Sequence, residues 1–171
     1  GHRDGAAALA RFFYPRGLAV LPDGRVLVAD AYNDRIRVLS ADLQQVSTVA
    51  GDGERGHRDG AAAQARFNGP RGLAVLPDGR VLVADSNGIR VLSADLQDVS
   101  TLNGFNESTA FELLPDGRVL VAAGRRIHVL EGLVALMGPK PAAKPPKKKK
   151  KKKINSNKRA LGGGGGARSS S

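Results

Sequence analysis

The chain has 171 residues, a formal net charge of +11 at pH 7 and no cysteine. This length allows one ordinary domain, and the lack of cysteine excludes a disulfide framework and a cysteine-based metal site. No apolar run approaches the ~18 residues of a membrane span. The charge is unevenly divided: the segment from Pro139 onward holds ten Lys, two Arg and no acid, so residues 1–138 carry −1 and the basic character belongs to the tail.

A hairpin pattern occurs three times along the chain. RGLAVLPDGRVLVAD fills residues 16–30 and again 71–85, and TAFELLPDGRVLVAA at 109–123 is a more divergent copy. In each copy Pro-Asp-Gly supplies the fixed φ, the short polar side chain and the glycine that suit a tight turn. The apolar runs on either side predict strands covered on both faces. Three copies of one hairpin indicate a repeat protein.

Two further strands complete each unit. After the first hairpin, RIRVLS at 35–40 alternates charged and apolar residues, and VSTVA at 46–50 follows a polar turn, so both predict strands. A connector then leads to Phe67, a packing anchor whose counterpart in the first copy is Phe12 or Phe13. The connector segment GHRDGAAA also recurs, at residues 1–8 and 56–63. Four antiparallel strands at this period predict a β-propeller blade.

The residues from Pro15 to Val38 resemble the NHL repeat, with the pattern P-x-G-L-A-V-x-P-D-G-x-V-x-V-A-D-x-x-N-x-R-I-x-V. The connector resembles those of algal and plant tandem NHL arrays, some of which are joined to a BTB/POZ domain. The resemblance covers about the first four-fifths of the chain. It implies an all-β fold: a partial, about three-blade NHL-type β-propeller of four-stranded antiparallel blades. The expected boundaries are blades at 16–50, 71–102 and 109–137 in a domain of residues 1–138, then a disordered Lys/Gly/Ser-rich tail at 139–171.

The copies diverge along the chain. The motif D-x-x-N-x-R-I occurs at residues 30–36. The second copy lacks two residues of this motif, and the third copy lacks its acid. The connector before the third hairpin is also shorter by seventeen residues. Its fourth strand is expected from GLVALM at 132–137. Three blades cannot close a ring of the usual ~4–8. We therefore expect further blades or self-association, and because Gly1 enters in mid-repeat we expect an internal piece of a longer protein or a processed product.

Catalysis is not indicated by these residues. Asp30 and Asp85 end the second strand of their hairpins, where we expect structural bracing, with Asn33 and Arg35 as partners in the first copy. The three histidines have no metal-ligand spacing, and no nucleophile motif, phosphate loop or cofactor fingerprint is present. Some related propellers resemble gluconolactonases or amidating lyases, but the acid and histidine set that they use is not assembled. We predict no enzyme activity, no cofactor and no metal.

The irregular loops beside the repeated scaffold predict binding. The preferred function is a non-enzymatic protein–protein interaction scaffold, and the resemblance to BTB-linked proteins implies substrate recognition in ubiquitin ligation. The loops expected to contact a protein partner are 31–34, 51–59, 86–88 and 103–108. The predicted partner-binding residues in or next to them are Tyr32, Asn33, Asp34, Arg35, Asn87, His57 and Arg58.

RNA or other nucleic-acid binding is the alternative. Some NHL propellers bind RNA through a basic face, and arginines lie on the third strand and at the hairpin turns; a solvated face is favoured because acids alternate with them and Trp is absent. The lysine run has three interpretations: a nuclear import signal, a nonspecific contact with nucleic acid or anionic membrane, or low-complexity sequence. We expect an intracellular location, in the cytoplasm or nucleus. The arginines are Arg25, Arg35, Arg37, Arg80 and Arg118, and the lysines are Lys147, Lys148, Lys149, Lys150, Lys151, Lys152 and Lys153.

Overall fold

The structure is a computed structural model that describes residues 1–133. In this part of the chain the strands form three antiparallel sheets that follow one another in sequence. The prediction of an all-β array of repeated antiparallel units is confirmed. The predicted strand at 132–137, apart from its first two residues, and the lysine-rich tail lie outside the described residues.

The first sheet is a meander whose outer edge is closed by the connector. Its order is β1-β5-β4-β3-β2, so β2 to β5 form the predicted four-stranded meander. The fifth strand, β1, was not predicted: it pairs with β5, with Gly5 opposite Val46. This pairing covers backbone groups that an edge strand would otherwise present to solvent. The strands are β1 Gly5–Ala6, β2 Pro15–Val20, β3 Val26–Asp30, β4 Arg35–Leu39 and β5 Gln45–Ala50.

The second sheet has the same strand arrangement as the first, and the third has a meander of three strands within the described residues. The second has the order β6-β10-β9-β8-β7, with the connector strand again outermost, and the third has the order β11-β12-β13 within the described residues. Short 3₁₀ turns occupy Ala7–Leu9, Ala31–Asn33 and Ala62–Gln64. The strands are β6 Gly60–Ala61, β7 Leu73–Val75, β8 Val81–Asp85, β9 Gly88–Leu92, β10 Asp98–Leu102, β11 Ser108–Leu113, β12 Val119–Ala123 and β13 Arg126–Leu130.

The Pro-Asp-Gly hairpin turn has one geometry in all three sheets. In the first sheet Gly24 N–H donates to the Leu21 carbonyl at 2.9 Å, and Arg25 N–H donates to the Asp23 carboxylate at 3.1 Å. The glycine has φ near +86° here and takes nearly the same value in the other two turns. Because only glycine adopts this conformation without strain, the predicted turn chemistry is confirmed.

Two apolar layers lie between the sheets. The first sheet packs against the second through one layer, and the second packs against the third through the other. The innermost strands β2, β7 and β11 lie side by side. At Gly17 a Cβ atom would collide with the Arg71 carbonyl oxygen, so the close approach of β2 and β7 requires glycine at this position. The sheets therefore stack around their inner strands, and the loops at the strand ends meet between neighbouring sheets.

Candidate functional site

A buried arginine on the third strand of the meander organises the first sheet. The Arg37 side chain is fully buried, and its Nη1 donates to Asp30 Oδ2 at 2.9 Å. Its Nε donates to Asp4 Oδ1 at 2.9 Å, and its guanidinium carbon lies 4.8 Å from the centre of the Phe12 ring. The carbonyls that accept from the same guanidinium are those of Arg3 and Arg11. Arg37 thus ties the connector to the meander, and Phe12 rather than Phe13 is the counterpart of Phe67.

The second sheet has the same arginine with fewer acidic partners. Arg90 is also fully buried, donates from Nη2 to Asp59 Oδ1 at 2.6 Å, and lies 5.1 Å from the Phe67 ring centre. The carbonyls of Arg58 and Arg66 accept from it as their counterparts do in the first sheet. A buried guanidinium needs such partners, because burying an unpaired charge is costly. The connector supplies these partners in both sheets. We call the connector, the buried arginine and the acid at the end of the hairpin together the clasp.

The acid at the end of the hairpin has different surroundings in the two sheets. Asp30 accepts from Phe13 N–H and from Asn33 Nδ2, both at 2.8 Å, in addition to Arg37. Asp85 accepts from two backbone N–H groups at 2.7 Å, those of Asn68 and Asn87. Burial raises the pKa of Asp85, and these hydrogen bonds only partly offset it. Both carboxylates are held by neighbouring backbone, as expected of structural bracing.

Part of the predicted bracing is wrong. Asn33 does donate to Asp30, but the arginine that pairs with Asp30 is Arg37 and not Arg35. Arg35 instead donates to the carbonyls of Asn33 and Asp52, both at 3.0 Å. The error arose because both arginines lie on the same strand face in an alternating pattern, and the sequence does not show which of them the connector covers.

The arginines considered for a basic face do not share one environment. Arg37 is fully buried, so it presents no charge to solvent. The arginines at the hairpin turns each form an ion pair with the aspartate two residues earlier, which neutralises the charge within the turn. These pairs are Arg25–Asp23 at 2.7 Å, Arg80–Asp78 at 2.6 Å and Arg118–Asp116 at 2.7 Å.

Three of the predicted partner-binding residues differ in exposure. Tyr32 is 50% exposed and Asn87 is exposed. Asp34 is only 5% exposed, and its Oδ1 accepts from Gly69 N–H at 2.7 Å. Asp34 therefore links the turn between β3 and β4 to the segment that precedes β7.

Two other predicted residues belong to the clasp. His57 Nε2 lies 3.2 Å from Thr101 Oγ1, as His2 Nε2 lies 3.1 Å from Thr48 Oγ1 in the first sheet. Arg58 donates to the Asp52 carboxylate at 2.8 Å. Neither His57 nor Arg58 lines the cavity described next, so the structure does not bring them together with Tyr32.

Three arginines surround a small cavity between the first and second sheets. The cavity has a volume of about 180 Å³ and lies where the inner strands begin and the hairpins end. Arg71 Nη2 donates to Ser86 Oγ at 3.1 Å, and Arg55 Nε lies 3.4 Å from the Asp34 carboxylate. The Arg16 side chain is exposed and forms no hydrogen bond or ion pair with any described residue. Within residues 1–133 the arginines around the cavity thus have only the buried Asp34 as a paired acid, which leaves a positive surface suited to an anionic group.

An exposed aromatic cluster borders this cavity. The rings of Phe13, Tyr14 and Tyr32 contact one another, with centres 4.8 to 5.3 Å apart. They are 42%, 63% and 50% exposed, and Tyr32 itself lines the cavity. Together they form what we call the aromatic–arginine patch, which consists of Phe13, Tyr14, Tyr32, Arg16, Arg55 and Arg71.

Tyr32 is the one member of this patch among the predicted partner-binding residues, and the sequence predicts Phe13 only as a candidate packing anchor. Arg16 and Arg71 belong to the repeated hairpin sequence, which predicts strands and a turn and does not mark either arginine as a binding residue. One signal was available: Phe13-Tyr14 stands where the second copy has Asn68-Gly69, although the hairpins that follow are identical. A departure from an otherwise exact repeat marks a position that the scaffold alone does not require.

The described residues contain neither a metal-binding cluster nor a membrane-spanning helix. Across residues 1–133 no group of three His, Cys, Asp or Glu side chains is placed to hold a metal ion. In the same range no helix has the length and apolar character needed to cross a bilayer.

Repeated antiparallel sheets stacked around their inner strands define a segment of a β-propeller. Residues 12–39 and 67–92 match the model of the NHL repeat. The matched residues lie in the first two sheets, so the chain is similar to the NHL repeat over this part, in agreement with the resemblance. The BTB/POZ linkage and an algal or plant relationship stay predictions.

Curated proteins with similar sequence are much longer than this chain. NHL repeat-containing protein 2 of Gallus gallus is 36% identical over 114 residues, 64% of this chain and 16% of that protein. Protein SUPPRESSOR OF QUENCHING 1, chloroplastic, of Arabidopsis thaliana is 35% identical over 96 residues, 56% of this chain and 9% of that protein. The chain thus spans less than a fifth of the length of these relatives.

A solved structure shares the fold. It belongs to a protein provisionally assigned as a gluconolactonase, which is 21% identical, has a TM-score of 0.50, and is covered over 47% of its length by 71% of this chain. At this identity the likeness shows the propeller architecture and nothing about activity.

Proposed function

We propose that the chain is a non-enzymatic interaction module that binds a protein partner through the aromatic–arginine patch. The observation that carries this proposal is the exposed cluster of Phe13, Tyr14 and Tyr32 beside three arginines. Tyr, Phe and Arg are the residue types enriched at protein interfaces, because they combine large contact area with directional hydrogen bonds. The cluster occurs in one copy of the repeat, and a binding site needs to be present only once.

The charge of the patch indicates the chemistry of its partner. Three guanidinium groups with one paired carboxylate favour an acidic group, and a guanidinium binds a carboxylate through two parallel hydrogen bonds. The cavity of about 180 Å³ is smaller than the ~300–1,000 Å³ typical of sites for whole small molecules. It fits a single acidic side chain, with the neighbouring rings available for an apolar residue. The proposed partner is thus a protein segment in which an Asp or Glu stands beside an apolar residue.

Peptide selection tests this proposal. Random peptides displayed on phage are selected on the full 171-residue chain, and the enriched peptides are titrated against the variant that combines Arg16→Ala with Arg71→Ala. We expect enrichment of Asp or Glu beside apolar residues, and affinity reduced at least ~10-fold in the variant. Since both proteins share the lysine-rich tail, the difference isolates the patch.

Arg25→Ala is the matched control, because Arg25 is an exposed arginine paired in its own turn at the opposite end of the hairpin. It should leave the affinity unchanged. Peptides that bind the double variant as tightly as the wild type would contradict the proposal.

Recognition of substrates for ubiquitin ligation is a narrower form of this proposal. It would require that the partner bound at the patch becomes modified when the chain is joined to a ligase component. Loss of that modification in the Arg16→Ala, Arg71→Ala variant is the expected result, and its persistence would assign recognition to another surface.

Nucleic-acid binding is the second candidate. It is supported by the same arginines and exposed rings, since phosphates pair with guanidinium groups and bases stack on aromatic side chains. The lysine-rich tail adds a nonspecific electrostatic contribution. Titration of a labelled single-stranded RNA distinguishes binding by the patch from binding by the tail. RNA binding is assigned to the patch if the affinity survives deletion of residues 139–171 and falls with Arg16→Ala and Arg71→Ala. A location in the cytoplasm or nucleus stays a prediction from the lysine run.

A further inference from the structure

Neighbouring sheets in this chain meet through two different faces. We call the face that contacts the next sheet along the chain the leading face, and the face that contacts the preceding sheet the trailing face. In the first contact, the leading face of the first sheet, with Leu27, Ile36 and Val38, packs on the trailing face of the second, with Val81 and Val83.

The second contact repeats the first with equivalent residues. Ile89 and Val91 of the second sheet stand at the positions of Ile36 and Val38, and they pack on Val119 and Val121 of the third sheet. The chain thus makes one kind of interface twice, each time with a leading face against a trailing face.

The two end faces of the array are the unused halves of that interface. On the trailing face of the first sheet Leu18 and Val20 are 68% and 65% exposed, whereas their counterparts Leu73 and Val75 are partly buried against the first sheet. The residues from 71 to 85 repeat those from 16 to 30 letter for letter, so the sequence cannot be the cause.

The third sheet shows the complementary half. On its leading face Ile127 is 67% exposed, although Ile36 and Ile89 at the same repeat position are both 0% exposed. Val129 is 49% exposed, and its counterparts in the other sheets are buried. The surface that covers Ile36 and Ile89 in the earlier sheets is a trailing face, and the exposed trailing face in this chain is that of the first sheet.

Two alanines on the trailing side are also less buried in the first sheet than in the second. Ala62 and Ala65 are buried, and their carbonyls accept from Gly51 N–H and Asp52 N–H, which directly follow β5 of the first sheet. Their counterparts Ala7 and Ala10 are partly exposed. The preceding surface would therefore contribute polar as well as apolar contacts.

We propose that the trailing face of the first sheet packs against the leading face of the third sheet of a second copy of this chain. The occupant is a second copy because each face is complementary to the other by the same residues that the chain already uses twice. Such a contact is head-to-tail, and two chains that make it in both directions close a ring. Two copies of three sheets would supply six, within the ~4–8 blades of known propellers. This proposal does not depend on the aromatic–arginine patch.

The mass of the full 171-residue chain in solution tests the proposal. Sedimentation over a range of concentrations should show a discrete two-chain species. Val20→Asp removes the trailing half of the contact and Ile127→Asp the leading half, so each variant alone should be monomeric. An equimolar mixture should regain a two-chain species, because the intact Ile127 face of one variant meets the intact Val20 face of the other.

Leu43→Asp is the matched control. Leu43 is 51% exposed in the turn between β4 and β5, belongs to neither face and has φ of +59°, a conformation that Asp tolerates better than Leu. This variant should keep the wild-type mass. The mixture also guards against misfolding, since unfolded variants would not complement each other.

Three results would overturn the proposal. A wild-type chain that stays monomeric at every concentration would mean that the faces meet other blades or nothing. Growth into long polymers would contradict closure by two chains. An unchanged mass in Val20→Asp and Ile127→Asp would place the contact between copies elsewhere.

Discussion

The first and second sheets contain the same fifteen-residue hairpin, yet the same side chains are in different surroundings. Within the hairpin Leu18 is 68% exposed, whereas its counterpart Leu73 is partly buried; just before the hairpin Pro15 is exposed and Pro70 is buried. The turn is the same in both copies, and the three residues of the first strand nearest to it keep the same register: Leu18 and Val20 pair with Val28 and Val26 as Leu73 and Val75 pair with Val83 and Val81. Local sequence therefore determines the hairpin, whereas the neighbouring sheet determines how deeply the hairpin is buried.

A second difference concerns the buried charges. The second copy lacks two residues between β8 and β9, and its acid is held by backbone N–H groups instead of by Asn33 and Arg37. The two copies thus differ in how far a neighbouring sheet buries them and in the ion pair that they contain. Substitutions at equivalent positions separate these effects.

The largest difference is expected for the buried arginines. Arg37→Met leaves Asp30 buried without its cation, and breaking such a pair costs about 3–5 kcal/mol of unfolding free energy. Arg90→Met leaves two carbonyls and a partly exposed Asp59, and should cost about 1–3 kcal/mol. Urea denaturation of both variants measures the two values. Arg25→Met, which breaks an exposed pair, should change stability by less than ~1 kcal/mol, and an equal loss at Arg37 and Arg90 would contradict the assigned pairing.

A smaller difference is expected for the two phenylalanines. Phe67→Ala removes a fully buried ring and should cost about 3–5 kcal/mol. Phe12→Ala removes a partly exposed ring in the same position of the repeat, and in dilute solution it should cost roughly half as much because less apolar area is lost. Denaturant midpoints of the two variants give the comparison. Equal costs would show that the first sheet is covered as well as the second.

The smallest effect is a pH dependence that belongs to the second sheet. Burial raises the pKa of Asp85 above its ordinary value of 3.8, so the folded chain holds this proton to higher pH than the unfolded chain does. Stability is therefore lost as the pH rises from 3.8 through the folded-state pKa. Asp85→Asn removes this contribution, and the difference in unfolding free energy should shift in favour of the variant as the pH rises through that range.

Asp23→Asn provides a control of opposite sign. A hydrogen bond from Arg25 lowers the pKa of Asp23, so its contribution is present above its ordinary pKa and is lost as the pH falls through the folded-state value. The wild type should lose its advantage over this variant on acidification. The same pH trend in both variants would contradict the role of burial at Asp85.

Much of the scaffold could be predicted from the sequence because it depends on local signals. The Pro-Asp-Gly turns and the apolar runs beside them determine the hairpins, and their repetition determines the class of fold. The fifth strand could not be predicted, since Gly5–Ala6 and Gly60–Ala61 have no strand pattern of their own and pair only because β5 and β10 offer an edge.

The burial of the arginines required knowledge of long-range contacts. Arg37 alternates with apolar residues just as an exposed strand residue would, and only the connector that folds back over it makes it part of the core. The third copy contains an indirect sign of this dependence. It has Ala123 in place of the acid, His128 in place of the arginine and a shortened connector, so the parts of the clasp are lost together.

The aromatic–arginine patch could not be predicted from the sequence for a related reason. Arg16, Arg55 and Arg71 are far apart in sequence and come together only where two sheets meet. The loops at 31–34, 51–59 and 86–88 were predicted as binding loops, and each contributes a residue to the cavity. The particular residues depend on packing that no single repeat encodes.

The most direct measurement compares the reactivity of single cysteines introduced at equivalent repeat positions. The chain has no cysteine, so Val20→Cys, Val75→Cys, Ile89→Cys and Ile127→Cys each provide one thiol for labelling in dilute solution. Since the neighbouring sheet determines exposure, the thiols at positions 20 and 127 should react rapidly and those at 75 and 89 slowly. Equal rates within either pair would contradict the conclusion that identical sequence is buried or exposed according to its neighbour.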